Sequence, residues 1–86
     1  MKKELLFTRR FEKETYKFYF NSGVGCMGIY SEYYSVETPE NCFGYNDIIL
    51  FNHGEPYTLH RYLAPWIKQA CKKALIKKGY NPAMEV

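Results

Sequence analysis

The 86-residue sequence lacks the features that mark several common classes of protein. No apolar run approaches the roughly 18 residues that a transmembrane helix requires, and no apolar stretch typical of a signal peptide follows Lys2 and Lys3. Its three cysteines include no C-x-x-C pair, which argues against a disulfide framework and favours a reducing compartment. We therefore expect a single domain spanning residues 1–86, with no membrane association and a cytoplasmic location.

The usual catalytic signatures are also missing, since there is no P-loop, G-x-S-x-G or H-E-x-x-H motif. Gly23 to Gly28 spells G-x-G-x-x-G after a predicted strand. That motif binds pyrophosphate only where its glycines open a helix, and the residues from Ile29 to Tyr34 are poor helix formers. We interpret the glycines as a flexible entry to a strand.

Cysteine and histidine supply the remaining candidates for metal binding or nucleophilic catalysis. They are Cys26, Cys42, Cys71, His53 and His60. Their spacing matches no zinc-binding pattern, and nothing near them in the sequence marks an activated thiol. The sequence therefore predicts no enzyme activity, no cofactor and no metal.

Aromatic residues are unusually frequent, with nine Tyr, six Phe and one Trp. A domain of this size buries only about 60% of the surface that its unfolded chain exposes, so its interior has no room for all of these rings. Tyrosines on half-buried faces of a sheet account for some of them. We expect the others to lie at the surface, where a rigid ring with a polar tip favours protein contacts.

Charge is segregated along the chain. Residues 18–60 contain five acids and no Lys or Arg, whereas the segments on either side are net basic. If the two ends of the chain meet in space, the molecule has one basic side and one acidic, tyrosine-rich side.

Hydrophobic periodicity predicts an α+β fold. Alternating apolar residues over residues 4–20 indicate a β-hairpin. With residues 12–15 as its loop, Phe11 would face Tyr16 and Phe7 would face Phe20. Residues 48–51 form an apolar run typical of a buried strand. We interpret residues 24–36 as a third strand, although Ile29, Tyr33 and Val36 also fit helical spacing. The expected architecture is a small antiparallel sheet of three to four strands with one C-terminal amphipathic helix packed on one face.

The predicted helix covers residues 58–78. Thr58 is the expected N-cap and Gly79 the expected left-handed C′ residue. Pro65 conflicts with a continuous helix, so either the helix is kinked there or residues 59–64 form a separate turn. The residues expected to pack across the helix–sheet interface are Trp66, Leu63, Ile67, Ala70 and Leu75 against Leu5, Phe7, Phe18, Phe20, Ile48 and Leu50.

These features favour a small non-enzymatic protein-binding module, of adaptor or stoichiometric inhibitor type. Inhibitors encoded by phages and mobile elements have this general size, which is an association by size alone. The expected partner is a larger protein with a basic patch, and a second copy of the chain is a further candidate. The predicted contact residues are Tyr30, Tyr33, Tyr34, Glu37, Glu40 and Tyr45.

A nucleic-acid-binding domain is the alternative hypothesis. Basic residues on the first hairpin and on one face of the helix would contact phosphates, and a nearby tyrosine would stack on bases. The predicted contacts are Arg9, Arg10, Arg61, Lys68 and Lys72. The acidic middle of the chain argues against this hypothesis, because it would repel a polyanion.

Overall fold

A computed structural model describes residues 2–25, 27–40, 46–52, 55–58 and 65–82 of the chain. Within these ranges, five strands precede one helix. They are β1 (Lys2–Phe11), β2 (Glu14–Val24), β3 (Tyr30–Glu40), β4 (Asn46–Asn52), β5 (Glu55–Thr58) and α1 (Pro65–Lys77).

The strands form one antiparallel sheet in chain order, from β1 at one edge to β5 at the other. This arrangement confirms the predicted α+β class, the opening hairpin and the C-terminal helix. The third strand, expected over residues 24–36, begins only at Tyr30, because Val24 ends β2 and a turn follows it. The sheet exceeds the expected three to four strands by the short β5. Within the described ranges, no helix is long and apolar enough to cross a membrane.

The β1–β2 hairpin turns on only two residues, Glu12 and Lys13, which have φ angles of 45° and 74°. Phe11 and Glu14 therefore face each other, and a register shift between Leu5 and Phe7 marks a β-bulge. As a result Phe7 lies opposite Phe18, with ring centroids 4.4 Å apart.

The ring pairing expected from the sequence is therefore partly correct. A pairing of Phe7 with Phe20 had assumed a longer loop, and the tight turn gives Phe7 to Phe18 instead. The predicted contact of Phe11 with Tyr16 is present, with centroids 5.0 Å apart in an edge-to-face geometry. It is a diagonal contact, because Tyr16 lies directly opposite Arg9.

The helix covers one face of the sheet. Among the described residues, eight are buried in the core between these two layers. They are Tyr16, Phe18, Val36, Ile49, Phe51, Cys71, Ala74 and Leu75. We call the covered side the helix face and the opposite side the far face.

Several residues expected in the core lie elsewhere. Leu5 is 53% exposed, because the bulge after it places it on the far face with Tyr19. In β4, Ile49 and Phe51 are buried on the helix face, whereas the expected Leu50 is only half-buried, and the side chain of Ile48 lies outside the described residues. A continuous apolar run does not show by alternation which of its side chains face the core. The pairing of β4 with β3 decides this instead.

The helix begins at Pro65. The N–H groups of the first helical turn have no partner within the helix, so the proline at this position removes no hydrogen bond and does not kink the helix. Thr58 is not its N-cap, because Thr58 ends β5. Trp66 is 44% exposed. Its neighbour Ile67 packs against the core, and successive helix residues are rotated by about 100°, so Trp66 lies at the side of the helix. The remaining expected core residue, Leu63, lies outside the described residues.

The helix ends as the sequence predicts. Gly79 has a φ of 93° and donates to the Ile76 carbonyl, and the Tyr80 N–H donates to the Leu75 carbonyl, each at 3.0 Å. These two bonds form a Schellman motif. The chain then folds back, so that the Tyr80 ring stacks on Phe7 and contacts Tyr34.

Candidate protein-binding surface

The turn between β2 and β3 is a glycine-dependent hairpin. The Gly25 N–H donates to the Ile29 carbonyl and the Gly28 N–H donates to the Gly25 carbonyl, each at 3.0 Å. Gly28 has a φ of 74°, a conformation that other L-residues rarely adopt. The G-x-G-x-x-G sequence therefore builds a β-turn. Its glycines do not open a helix, so the amide cluster that holds pyrophosphate in a dinucleotide fold is missing here.

This turn carries an exposed group of large apolar side chains. Val24, Met27, Ile29 and Tyr30 are between 58% and 81% exposed. We call these four residues the apolar tip. Contiguous exposed apolar residues on a small domain mark interaction surfaces more often than single ones do, and Met and Tyr are enriched in protein interfaces.

The tip lies at the end of two paired strands that begin in the core. Phe18 and Val36 are paired in the core, and the next pair outward on the helix face, Phe20 and Tyr34, is half-buried with centroids 5.2 Å apart. The polar pair of Ser22 with Glu32 follows, and Val24 pairs with Tyr30 at the end of the hairpin. Burial thus decreases along the two strands from the core to the tip.

Tyr30 is held in place by a neighbour. Its phenol donates a 2.7 Å hydrogen bond to Oε1 of Glu32, and this bond raises the pKa of Tyr30 above its ordinary value. A ring whose orientation is fixed before binding loses less entropy when a partner contacts it. The bond favours one orientation of the exposed Tyr30 ring and places a carboxylate beside it.

The other predicted contact residues are divided between the two faces of the sheet. Tyr33 and Glu37 lie on the far face, opposite Asn21 and Lys17 of β2. Tyr34 lies on the helix face, packed between Phe20 and Tyr80, and its burial raises the pKa of its phenol.

Two predicted contacts are less fully described. Glu40 pairs with Asn46 in the β3–β4 ladder, and its side chain lies outside the described residues. Tyr45 lies outside them altogether. Of the six predicted residues, Tyr30 alone is part of the apolar tip.

The far face holds a polar cluster. Asn21 and Ser35 are buried, and Nδ2 of Asn21 donates to Oγ of Ser35 at 2.8 Å. Beside them, Nζ of Lys3 lies 4.2 Å from the Tyr19 ring centroid and 3.8 Å from Oε2 of Glu37. Strand pairing has thus brought a basic residue of β1 onto the acidic segment, so the two charges are less segregated in space than along the chain.

The residues of the nucleic-acid hypothesis are also divided. Arg9 is exposed on the helix face and Arg10 is exposed on the far face, because successive side chains of β1 alternate. Lys68 and Lys72 lie one turn apart on α1 and are half-buried, and Arg61 lies outside the described residues.

Cys71 is a structural residue. Its side chain is buried in the core, and this burial raises the pKa of the thiol to about 12. Such a thiol carries almost no thiolate at neutral pH, and the thiolate is the nucleophile. Across the described ranges, no three His, Cys, Asp or Glu side chains gather where a metal ion would bind. The other candidates, Cys26, Cys42, His53 and His60, lie outside those ranges.

Comparison of the chain with protein-family models, with curated proteins and with solved structures finds no match. The candidate site thus stands on its geometry alone. Sequence reasoning missed the apolar tip because Val24 and Ile29 were taken as ordinary strand residues. The signal was present in the sequence, since Gly25 and Gly28 bracket a turn that is flanked by apolar residues, where polar ones are usual.

Proposed function

We propose that this protein is a non-enzymatic protein-binding module, of adaptor or stoichiometric inhibitor type, which captures a larger protein through the apolar tip. The observation that carries the proposal is the exposure of Val24, Met27, Ile29 and Tyr30 together at the end of a hairpin rooted in the core. An aromatic and several aliphatic side chains at the end of a hairpin suit insertion into a pocket of a partner, as interface hot spots do.

The partner that fits this surface has an apolar pocket for the tip and a basic residue near its rim. Glu32 supports the second feature, because its carboxylate accepts the Tyr30 hydrogen bond next to the tip. A carboxylate at the edge of an apolar contact steers association and contributes more to orientation than to affinity.

Affinity capture from native extract, followed by binding measurements with the purified partner, tests the proposal. The Met27→Ala/Ile29→Ala variant removes two exposed side chains, and we expect it to weaken binding by at least about 30-fold, as loss of a hot spot does. Ile76→Ala is the matched control, because Ile76 is an exposed aliphatic residue on the helix. It should bind as the wild type does.

Two results would contradict the proposal. One is equal capture by the wild type and the Met27→Ala/Ile29→Ala variant with both proteins folded by circular dichroism. The other is a captured complex that nuclease treatment dissolves, which would favour the nucleic-acid hypothesis.

A further inference from the structure

A cleft lies between the end of β1 and α1, with a volume of about 200 Å³. Two strand residues and four helix residues line it. They are Arg9, Phe11, Ala70, Lys73, Ala74 and Lys77. The helix residues recur at intervals of three and four and so form one stripe along α1.

The floor of the cleft is apolar and its rim is basic. Phe11, Ala70 and Ala74 supply the apolar part, and the small side chains of the two alanines leave the space open beside the ring. The guanidinium of Arg9 lies 5.6 Å from the Phe11 ring centroid, so a cation stands directly over the aromatic surface.

Three cations border this cleft and none of its lining residues is acidic. Among the described residues, no carboxylate forms an ion pair with Arg9, Lys73 or Lys77. Glu14 lies opposite Phe11 in the hairpin but does not line the cleft. The charges of Glu14 and Glu12 act on Tyr16, whose ring contacts Phe11, so they offset part of the positive charge. The three lining cations outnumber these two carboxylates, and the positive potential that remains would be relieved by an anion.

We propose that this cleft binds a small amphipathic anion, namely a ring that carries a phosphate or carboxylate group. The ring packs on Phe11 and the alanines, while the anionic group accepts hydrogen bonds from Arg9, Lys73 and Lys77. Arg is suited to this role because its planar guanidinium binds phosphate or carboxylate through two parallel bonds.

The cleft is separate from the apolar tip. Arg9 pairs with Tyr16 near the start of β2, whereas Val24 ends that strand. At the rise of an antiparallel strand, the two sites are roughly 25 to 30 Å apart. The ligand site therefore goes beyond the proposed protein-binding function, and either one stands if the other fails.

Titration of the full chain with phenyl phosphate, followed by nuclear magnetic resonance of the backbone amides, tests this site. We expect shifts at Phe11, Ala70 and Ala74. Inorganic phosphate has the anionic group without the ring, and benzyl alcohol has the ring without the anionic group. Each should bind at least about tenfold more weakly than phenyl phosphate, because neither contacts both the apolar floor and the basic rim.

Variants separate this site from general charge attraction. Lys73→Ala and Lys77→Ala should each weaken phenyl phosphate binding by about fivefold, in line with loss of one partly exposed charged contact. Ala70→Leu keeps every charge and fills the cleft, so it should abolish binding. Lys17→Ala is the matched control, because Lys17 is exposed on the far face, and it should bind normally.

Three outcomes would overturn the inference. They are the absence of shifts at the cleft amides, equal binding of phenyl phosphate and inorganic phosphate, and equal weakening by Lys17→Ala and Lys73→Ala. A single-stranded thymidine oligonucleotide serves as a further probe. If it binds more tightly than phenyl phosphate and depends equally on Lys68, Lys72 and Lys73, the surface is a nucleic-acid interface instead of a small-ligand site.

Discussion

Truncation of Leu75 is the sharpest test of the packing described here. Leu75 is fully buried between the helix and the sheet, whereas Leu5 is 53% exposed at the edge of the sheet. Periodicity alone placed both leucines in the core. Leu75→Ala and Leu5→Ala therefore make the same chemical change at two sites that only the structure distinguishes.

The expected magnitudes differ clearly. A leucine truncated inside a packed core loses its transfer free energy and leaves a cavity, so Leu75→Ala should lower the free energy of unfolding by about 3 to 5 kcal/mol. Water fills the space beside an exposed leucine, so Leu5→Ala should cost about 1 kcal/mol or less. A domain of this length has a total stability of only about 4 to 13 kcal/mol, so the first change removes a large part of it.

Urea and thermal denaturation followed by circular dichroism measure both effects. At about 4 to 8 °C per kcal/mol for a domain of this size, Leu75→Ala should lower the melting temperature by at least about 12 °C. Leu5→Ala should lower it by about 8 °C at most. If Leu5→Ala destabilises the protein as much as Leu75→Ala does, the bulge and the face assigned to Leu5 are wrong.

Three further predictions concern the turn, the far face and the buried thiol. Replacing Glu12 and Lys13 with Asn and Gly, which suit positive φ angles, should stabilise the protein by about 1 kcal/mol, and an unchanged or lower melting temperature would contradict the turn. Asn21→Ala should cost about 1 to 3 kcal/mol because it leaves the buried Ser35 hydroxyl without its donor. Ser35→Ala should destabilise the Asn21→Ala variant less than it destabilises the wild type. If the two changes in unfolding free energy simply add, the hydrogen bond is not supported. Burial raises the pKa of Cys71 to about 12 from 9.0, so the folded state holds this proton longer than the unfolded state does. The contribution of the protonated thiol to stability is complete below pH 9 and is lost towards pH 12. The free energy of unfolding should therefore fall more steeply between pH 9 and pH 12 in the wild type than in Cys71→Ala. Parallel curves for the two proteins would refute this.

Local signals predicted much of the fold. The end of the helix at Gly79 and the return of Tyr80 follow from the residues themselves, because a left-handed C′ glycine and its hydrogen bonds involve only neighbours in the chain. The same holds for the opening hairpin, whose alternating residues favour strands. Its register was mispredicted, since two non-glycine residues at positive φ are an uncommon turn that composition does not reveal.

The candidate sites were less accessible to sequence reasoning. Tyr33 and Tyr34 are adjacent in sequence, so they were grouped on one surface, yet a strand directs them to opposite faces. Arg9 was grouped with Lys68 and Lys72 by charge, whereas the structure places it beside Lys73 and Lys77. In both cases the residue types were judged correctly. The groupings failed because they depend on which strands and helix residues lie next to each other in the folded chain.

The sequence by itself determined the class of fold, because the spacing of apolar residues and the glycine at the end of the helix act through neighbours in the chain. Only the tertiary structure decided which side of β4 faces the helix and which cations converge at the cleft. The physical reason is that the register of strand pairing fixes which side chains share a face of the sheet. A two-residue turn and one bulge set that register for β1. Long-range contacts then determined which of the described side chains lie in the core, at the tip and in the cleft.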